Sequence, residues 1–255
     1  MKIIWDTEKS DIETINHLIN SQSDKKFVLN RLKKNVDLNY LPKFNQELFW
    51  EAMILCLLSS QQRSGPDSPI TKFYSKKPFA LSLDNCSSST NLKSFVKKCL
   101  TDFGGIRFVN KISERTEENL SWLNSGGWDQ VNVFANNLLE SRKRPPKNQD
   151  IKLEINAANF LNENLKGFGP KQSRNLWQTL GLFRYEIPID SRITKWLNKN
   201  IYHFKLSADA LSDPNFYQFV MDGIQKISDD SGILPCVLDA AIFSTYDKEW
   251  DVDVW

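Results

Sequence analysis

The segment Leu165-Lys166-Gly167-Phe168-Gly169-Pro170-Lys171, with the Ile187-Pro188-Ile189-Asp190 that follows it, decides how this chain folds. Two glycines flank Phe168, and glycine lets the backbone turn tightly and approach another surface because it has no Cβ. Apolar residues recur at helical spacing on both sides of the turn. Pro170 stands where a second helix would begin, and proline is tolerated there because its missing N–H would be unpaired anyway. The segment predicts a helix, a short glycine hairpin and a second helix.

Lys171 and Asp190 give this region its candidate chemistry. Backbone N–H groups at a helix N-terminus bind phosphate oxygens without reading base sequence. Lys171 lies in the first turn of that helix, where the helix dipole and burial would both disfavour an ammonium group and leave a nucleophilic amine. Asp190 follows nineteen residues later, at the expected N-cap of another helix. Its negative charge would act in the opposite direction, so the sequence leaves the balance open.

The hairpin, Lys171 and Asp190 together resemble the helix-hairpin-helix, Gly/Pro-Asp superfamily of base-excision DNA glycosylases. In this resemblance Lys171 matches the lysine of the bifunctional glycosylase/lyases, and Asp190 matches the aspartate shared across the superfamily. The lysine-to-aspartate spacing is similar to that of the 8-oxoguanine branch. The resemblance covers the hairpin and the residues after it, and the stretch from Leu48 to Gln62 looks like an early helix of that fold.

The resemblance implies an all-α fold of two helical lobes with an active-site cleft between them. Residues 48–187 would form the lobe that contains the hairpin, and residues 1–47 together with 188–255 would form the other. Lys171 and Asp190 would then lie on opposite walls of the cleft. The residue pattern agrees with a helical fold, since apolar residues recur at helical spacing and no convincing alternating run predicts a strand.

The implied activity is excision of a damaged or modified base from double-stranded DNA, which requires the nucleotide to be flipped out of the duplex. Lys171 would attack C1′ of the sugar, and Asp190 would stabilise the positive charge that develops there. The resulting Schiff base permits β-elimination and strand nicking, and these steps need no metal or redox cofactor. The resemblance favours 8-oxoguanine, while oxidised pyrimidines or another modified base remain open.

Further residues are candidates for holding the DNA and the extruded base. Gln61 and Gln62 follow the early helix, where polar side chains of the family enter the DNA, although a polar helix end explains them nearly as well. The hairpin would hold phosphate through Gly167, Phe168, Gly169 and Pro170. Asn175 lies one helical turn after Lys171 and is a candidate for the base pocket. The candidates for stacking on the base are Phe243, Trp250 and Trp255, the two tail tryptophans being more simply explained as a packing latch.

Two other classes of function remain possible on the sequence. A helix-hairpin-helix can serve as a non-catalytic DNA-binding module, but simple binding does not require Asp190. A monofunctional glycosylase, acting on another modified base, would not use Lys171 as a nucleophile. Taken singly, Lys171 fits a surface lysine and Asp190 fits an ordinary helix cap. Their coincidence with the hairpin favours the catalytic interpretation.

Composition sets the broad class of this protein. The 255 residues suffice for one large or two small domains, and 40% hydrophobic with 25% charged residues is ordinary for a globular protein. We expect an intracellular protein, since no apolar run approaches the roughly 20 residues that span a bilayer, and we expect it to be a monomer. The net charge of +2 gives only a mild attraction to DNA, with local basic patches at Lys25–Lys34 and Arg142–Arg144. The scattered cysteines indicate neither a zinc site nor a local redox motif, and only Cys236 lies near the C-terminus, where some relatives in the resembled superfamily carry a four-cysteine iron–sulfur cluster.

Overall fold

The structure is a computed structural model that describes residues 4–62 and 65–246. Within these residues every regular element is a helix, which confirms the predicted all-α class. The α-helices are α1 (Lys9–Gln22), α2 (Lys26–Arg31), α3 (Gln46–Leu58), α4 (Pro69–Ser75), α5 (Leu83–Ser87), α6 (Leu92–Phe103), α7 (Val109–Trp122), α8 (Trp128–Arg142), α9 (Gln149–Asn164), α10 (Pro170–Thr179), α11 (Ser191–Asn200), α12 (Pro214–Asp230) and α13 (Pro235–Tyr246). Short π-helical turns at Leu32–Val36 and Leu123–Gly127 and a 3-10 turn at Ala210–Ser212 join some of them.

Polar side chains define where several of these helices begin. Asn45 accepts a hydrogen bond from the backbone N–H of Leu48 at 2.8 Å, and Asp213 accepts one from Phe216 at 2.7 Å. Each of these bonds satisfies a helix N–H that would otherwise lack a partner. The ends follow equally local chemistry, since α6 stops at Gly104, whose φ of +80° favours glycine.

The first of two hydrophobic clusters surrounds α3. This helix is apolar on most of its faces and is therefore buried on most sides, as its sequence predicts. Its Trp50 is fully buried and donates its indole N–H to the backbone oxygen of Leu81 at 2.9 Å. Trp177 of α10 packs in the same cluster and donates its indole N–H to the oxygen of Ala157 at 3.0 Å. The hairpin helices α9 and α10 are thereby fixed to the centre of the fold.

The second cluster joins the N-terminal helices to the C-terminal ones. Ile15 of α1 and Val28 of α2 pack with apolar residues of α11, α12 and α13. The chain passes from the first cluster to the second between Phe183 and Ile187. These two clusters describe how apolar residues pack, and they do not define domain boundaries. The lobes of residues 48–187 and of residues 1–47 with 188–255 therefore remain a prediction.

Buried polar contacts connect the two clusters. The fully buried Asn35 donates its side-chain amide to the backbone oxygens of Gln178 at 3.1 Å and Phe183 at 2.9 Å. Arg142, also fully buried, donates to the oxygens of Gly181 at 3.0 Å and Lys34 at 3.2 Å. Arg142 therefore holds the fold together and does not belong to a solvated basic patch.

The neighbouring arginine of that expected patch is also engaged. Arg144 forms a two-pronged ion pair with the buried carboxylate of Asp150, with nitrogen–oxygen distances of 3.0 and 2.5 Å. The basic run is thus largely structural. No helix among the described residues is long and apolar enough to cross a membrane.

Candidate active site

The glycine hairpin has the form that its sequence predicts. Helix α9 ends at Asn164, and α10 begins at Pro170 with Gly169 as its N-cap. Gly167 has a φ of +86°, and a Cβ there would lie 2.6 Å from Cδ of Arg115, so only glycine fits both the conformation and the space. A Cβ on Gly169 would meet nothing within 4 Å. The protein therefore leaves free space beside Gly169, whereas Arg115 fills the space beside Gly167.

Asn119 of α7 fixes the hairpin from behind. Its side-chain oxygen accepts a hydrogen bond from the backbone N–H of Lys166 at 2.7 Å, and its amide donates to the oxygen of the same residue at 3.1 Å. Asn119 is fully buried. No sequence pattern predicts this contact, because the two residues lie 47 positions apart.

Asp190 caps α11, as predicted. One carboxylate oxygen accepts hydrogen bonds from the backbone N–H groups of Arg192 at 2.8 Å and Ile193 at 3.0 Å. The other oxygen accepts a hydrogen bond from Nε of Arg192 at 2.8 Å. The side chain is only 17% exposed. The helix cap and the guanidinium together hold the carboxylate in one orientation.

The structure brings four of the predicted site residues to one cavity. Lys171, Asn175, Asp190 and Phe243 all line it. Lys171 and Asp190 also line a long groove whose walls include Gln61, Gln62 and the hairpin residues Gly167, Gly169 and Pro170. The lysine and the aspartate therefore lie where the cavity meets the groove. Phe168 instead packs into the first hydrophobic cluster.

Asn175 is engaged with helix α3. Its side-chain amide donates to Sγ of Cys56 at 3.4 Å, and Gln172 donates to the oxygen of Cys56 at 2.7 Å. Burial raises the pKa of the Cys56 thiol to about 12, so the thiol stays protonated at neutral pH. These contacts position α10 against α3 on the lysine side of the cavity.

Phe243 lies in an aromatic and cationic environment. Its ring stacks on that of Phe27 with centroids 4.3 Å apart, and the guanidinium of Arg192 lies 4.1 Å from its centroid. Phe27 also lines the cavity, although no sequence motif singles it out. Phe243 therefore lines the cavity with its ring against Phe27 and Arg192, and its role in stacking on a base remains a prediction.

A buried ion pair completes the cavity wall. Arg31 of α2 lies 3.2 Å from the carboxylate of Asp239 of α13, and both side chains are nearly buried. Burial raises the pKa of Asp239 to about 6, against the opposing effect of Arg31. Neither residue belongs to a recognisable motif, and 208 positions separate them, so sequence reasoning missed the pair.

The remaining predicted residues have different outcomes. Gln62 is not free, because its side-chain oxygen accepts a hydrogen bond from the backbone N–H of Arg107 at 2.9 Å. Gln61 is exposed and has a φ of +57°, an uncommon conformation for a residue other than glycine. Trp250 and Trp255 lie outside the described residues.

The helical fold is that of the 8-oxoguanine DNA glycosylases, as solved structures of such proteins demonstrate. The free enzyme of Methanocaldococcus jannaschii matches with a TM-score of 0.63 at 17% identity, covering 93% of this chain and 94% of that chain. The glycosylase/lyase of the same organism, in complex with a 15mer DNA containing 8-oxoguanine, matches with 0.65 at 16% identity, covering 93% and 97%. The 8-oxoguanine DNA glycosylase of Thermotoga maritima matches with 0.60 at 13% identity, covering 94% and 97%.

The match confirms, for the fold, the resemblance predicted from the hairpin. It extends well beyond the hairpin, since it covers 93% or more of this chain in each case. No family model and no curated protein sequence matches the chain.

Proposed function

We propose that this protein is a bifunctional DNA glycosylase/AP lyase that removes a damaged or modified base, with 8-oxoguanine favoured, from double-stranded DNA. The observation that carries the proposal is the position of Lys171 and Asp190, which both line the cavity and the groove. A groove suits a DNA backbone, and a cavity beside it suits a base flipped out of the stack. The fold shared with the 8-oxoguanine DNA glycosylases supports the same conclusion.

The reaction begins at the sugar of the extruded nucleotide. The amine of Lys171 attacks C1′ as the bond to the base breaks, and the bonding electron pair leaves with the base, which takes up a proton. Asp190 stabilises the positive charge on the sugar in the transition state. The lysine nitrogen loses a proton, and the C1′–O4′ bond then breaks as O4′ takes the electron pair and a proton, which opens the sugar ring and gives a Schiff base. Loss of a proton from C2′ then expels the 3′ phosphate and nicks the strand.

The cavity supports a base with both donors and acceptors along its edge. Asp239 and the side-chain oxygen of Asn35 can accept hydrogen bonds, and Arg31 can donate them. The Oδ1 atom of Asn35 has no hydrogen-bond partner among the described residues, although the side chain is fully buried. A base would supply that missing partner. An oxidised purine such as 8-oxoguanine offers N–H groups and carbonyl oxygens at the same time, which fits this mixture.

The groove supports binding of the phosphate backbone. Gly169 presents an open backbone at the N-terminus of α10, and Arg107 and Arg115 line the same groove. In this proposal the lobe of residues 48–187 carries Lys171 and the lobe of residues 1–47 and 188–255 carries Asp190. One chain supplies both groups, so we propose that the protein acts as a monomer on intracellular DNA.

A panel of duplexes, each with one lesion, tests the proposal. The purified protein should release 8-oxoguanine and nick the strand without added alkali. Base release without nicking would identify a monofunctional glycosylase. Duplex binding without release of any base would favour a non-catalytic DNA-binding module.

A further inference from the structure

Arg174 is a buried charged residue that the proposed chemistry does not use. It lies on α10, three residues after Lys171, and only 2% of it is exposed. Its guanidinium donates to the backbone oxygen of Pro170 at 3.0 Å, to the Glu186 carboxylate at 2.6 Å and to the side-chain oxygen of Gln218 at 3.0 Å. One side chain thus contacts the residue immediately before Lys171 and a second, distant segment.

That second segment leads to Asp190. Glu186 is fully buried and lies four residues before the aspartate. Besides Arg174, its carboxylate accepts a hydrogen bond from Gln225 of α12 at 2.7 Å. Its backbone N–H donates to the buried carboxylate of Glu154 at 2.8 Å. The start of the segment is therefore fixed by both its side chain and its backbone.

Tyr217 extends the same network to the residues next to Asp190. The guanidinium of Arg174 lies 4.4 Å from the centroid of the Tyr217 ring. The phenol oxygen accepts a hydrogen bond from the backbone N–H of Ile189 at 2.6 Å and donates one to the oxygen of Ile187 at 2.9 Å. Because Ile189 precedes Asp190 directly, the network ends one residue from each proposed catalytic group.

A buried ion pair is a weak source of stability, because desolvation of both charges offsets their attraction. It can instead fix geometry, because several hydrogen bonds together allow only one arrangement of the segments that they join. Catalysis by positioned groups depends strongly on such geometry. We propose that Arg174 is a positioning residue, which acts through Pro170 on one side and through Glu186 and Tyr217 on the other to hold Lys171 in register with Asp190. This inference rests on the proposed function.

The test removes the charges while keeping the volume. The double variant Arg174→Met/Glu186→Gln leaves no uncompensated buried charge, so it avoids the main cause of unfolding. Single-turnover release of 8-oxoguanine should slow about tenfold to 100-fold, while affinity for an uncleavable lesion duplex changes less than about threefold. Arg174→Lys restores the positive charge but not the three-way contact, so Arg174→Lys should remain slow. A folded double variant with the wild-type rate would overturn the inference.

Two controls keep the result interpretable. Arg144→Met/Asp150→Asn removes another ion pair with a buried carboxylate, one that contacts neither catalytic segment, and should leave the rate unchanged. If the Arg174 variants fail to fold, Tyr217→Phe takes their place, because it removes only the two backbone contacts of the phenol. It should slow base release without weakening binding, and an unchanged rate would contradict the inference. Absence of base release by the wild-type protein would instead refute the proposed function itself.

Discussion

Asp190 accepts a hydrogen bond from the backbone N–H of Ile193 at 3.0 Å, so the carboxylate proposed to act on the sugar also caps helix α11. Structure and chemistry can be separated here, because asparagine caps helices about as well as aspartate. Asp190→Asn should therefore unfold at nearly the wild-type temperature while releasing the base at least about 100-fold more slowly, since its charge matters in the transition state. Asp190→Ala should additionally lose about 1 kcal/mol of stability.

Thermal unfolding and single-turnover base release of the two Asp190 variants check this prediction. Equal rates for Asp190→Asn and the wild type would show that the aspartate is only a cap.

Gly169→Ala tests the contact between the hairpin and DNA. A Cβ at Gly169 meets nothing within 4 Å of the protein, so the variant should fold normally. The added atom would instead project where a phosphate approaches the backbone. The variant should therefore bind lesion and undamaged duplexes with equally reduced affinity. Titration of both duplexes measures the effect. Unchanged affinity for both would exclude the hairpin as a phosphate site.

Gly167→Ala is the contrasting variant on the same turn. Its φ of +86° and the contact with Arg115 make any side chain strained. It should lower the unfolding temperature, whereas Gly169→Ala should not.

Phe243→Leu tests the base pocket. Stacking on an aromatic ring contributes about 1–3 kcal/mol per base. The variant should weaken binding of a lesion duplex by about tenfold relative to undamaged DNA, whose bases stay in the stack. Phe134→Leu is the matched control, because Phe134 stacks on Phe160 at 4.4 Å but does not line the cavity. If both variants preferred the lesion duplex equally, Phe243 would not stack on the extruded base.

The raised pKa of Asp239 should make the stability of the protein depend on pH in a specific way. Its pKa rises from 3.8 to about 6 in the folded protein, mainly through burial. The folded state therefore holds a proton that the unfolded state has released, and this contribution to stability is lost as pH rises from about 4 to about 6. Urea unfolding across this range should show the wild type losing up to about 3 kcal/mol relative to Asp239→Asn. A constant difference between the two proteins would contradict the shifted pKa.

Local rules account for what the sequence could predict. The start of α10 at Pro170, the tight turn at Gly167 and the cap at Asp190 each depend on a few neighbouring residues. The burial of α3 on most of its sides likewise follows from its own apolar residues. Helical periodicity was sufficient to predict the all-α class, whereas the expectation that Lys171 and Asp190 share one cleft came from the family resemblance.

The missed features depend on contacts between distant segments. Arg31 and Asp239 form a pair only after α2 packs against α13. Arg142 and Arg144 are neighbours in a basic run, yet the fold buries the first and pairs the second with Asp150. Local charge patterns cannot distinguish a solvated patch from such contacts, because burial is set by tertiary packing.

Borohydride trapping of a covalent adduct tests the central claim most directly. If Lys171 forms an imine with DNA, reduction should link the wild-type protein to an abasic or 8-oxoguanine duplex, and peptide mapping should find the link at Lys171. Lys171→Gln should abolish trapping while largely retaining duplex affinity. Lys199→Gln, which changes an exposed lysine lining the same groove, should trap normally. Trapping that persists in Lys171→Gln, with the adduct on another amine, would contradict the assignment.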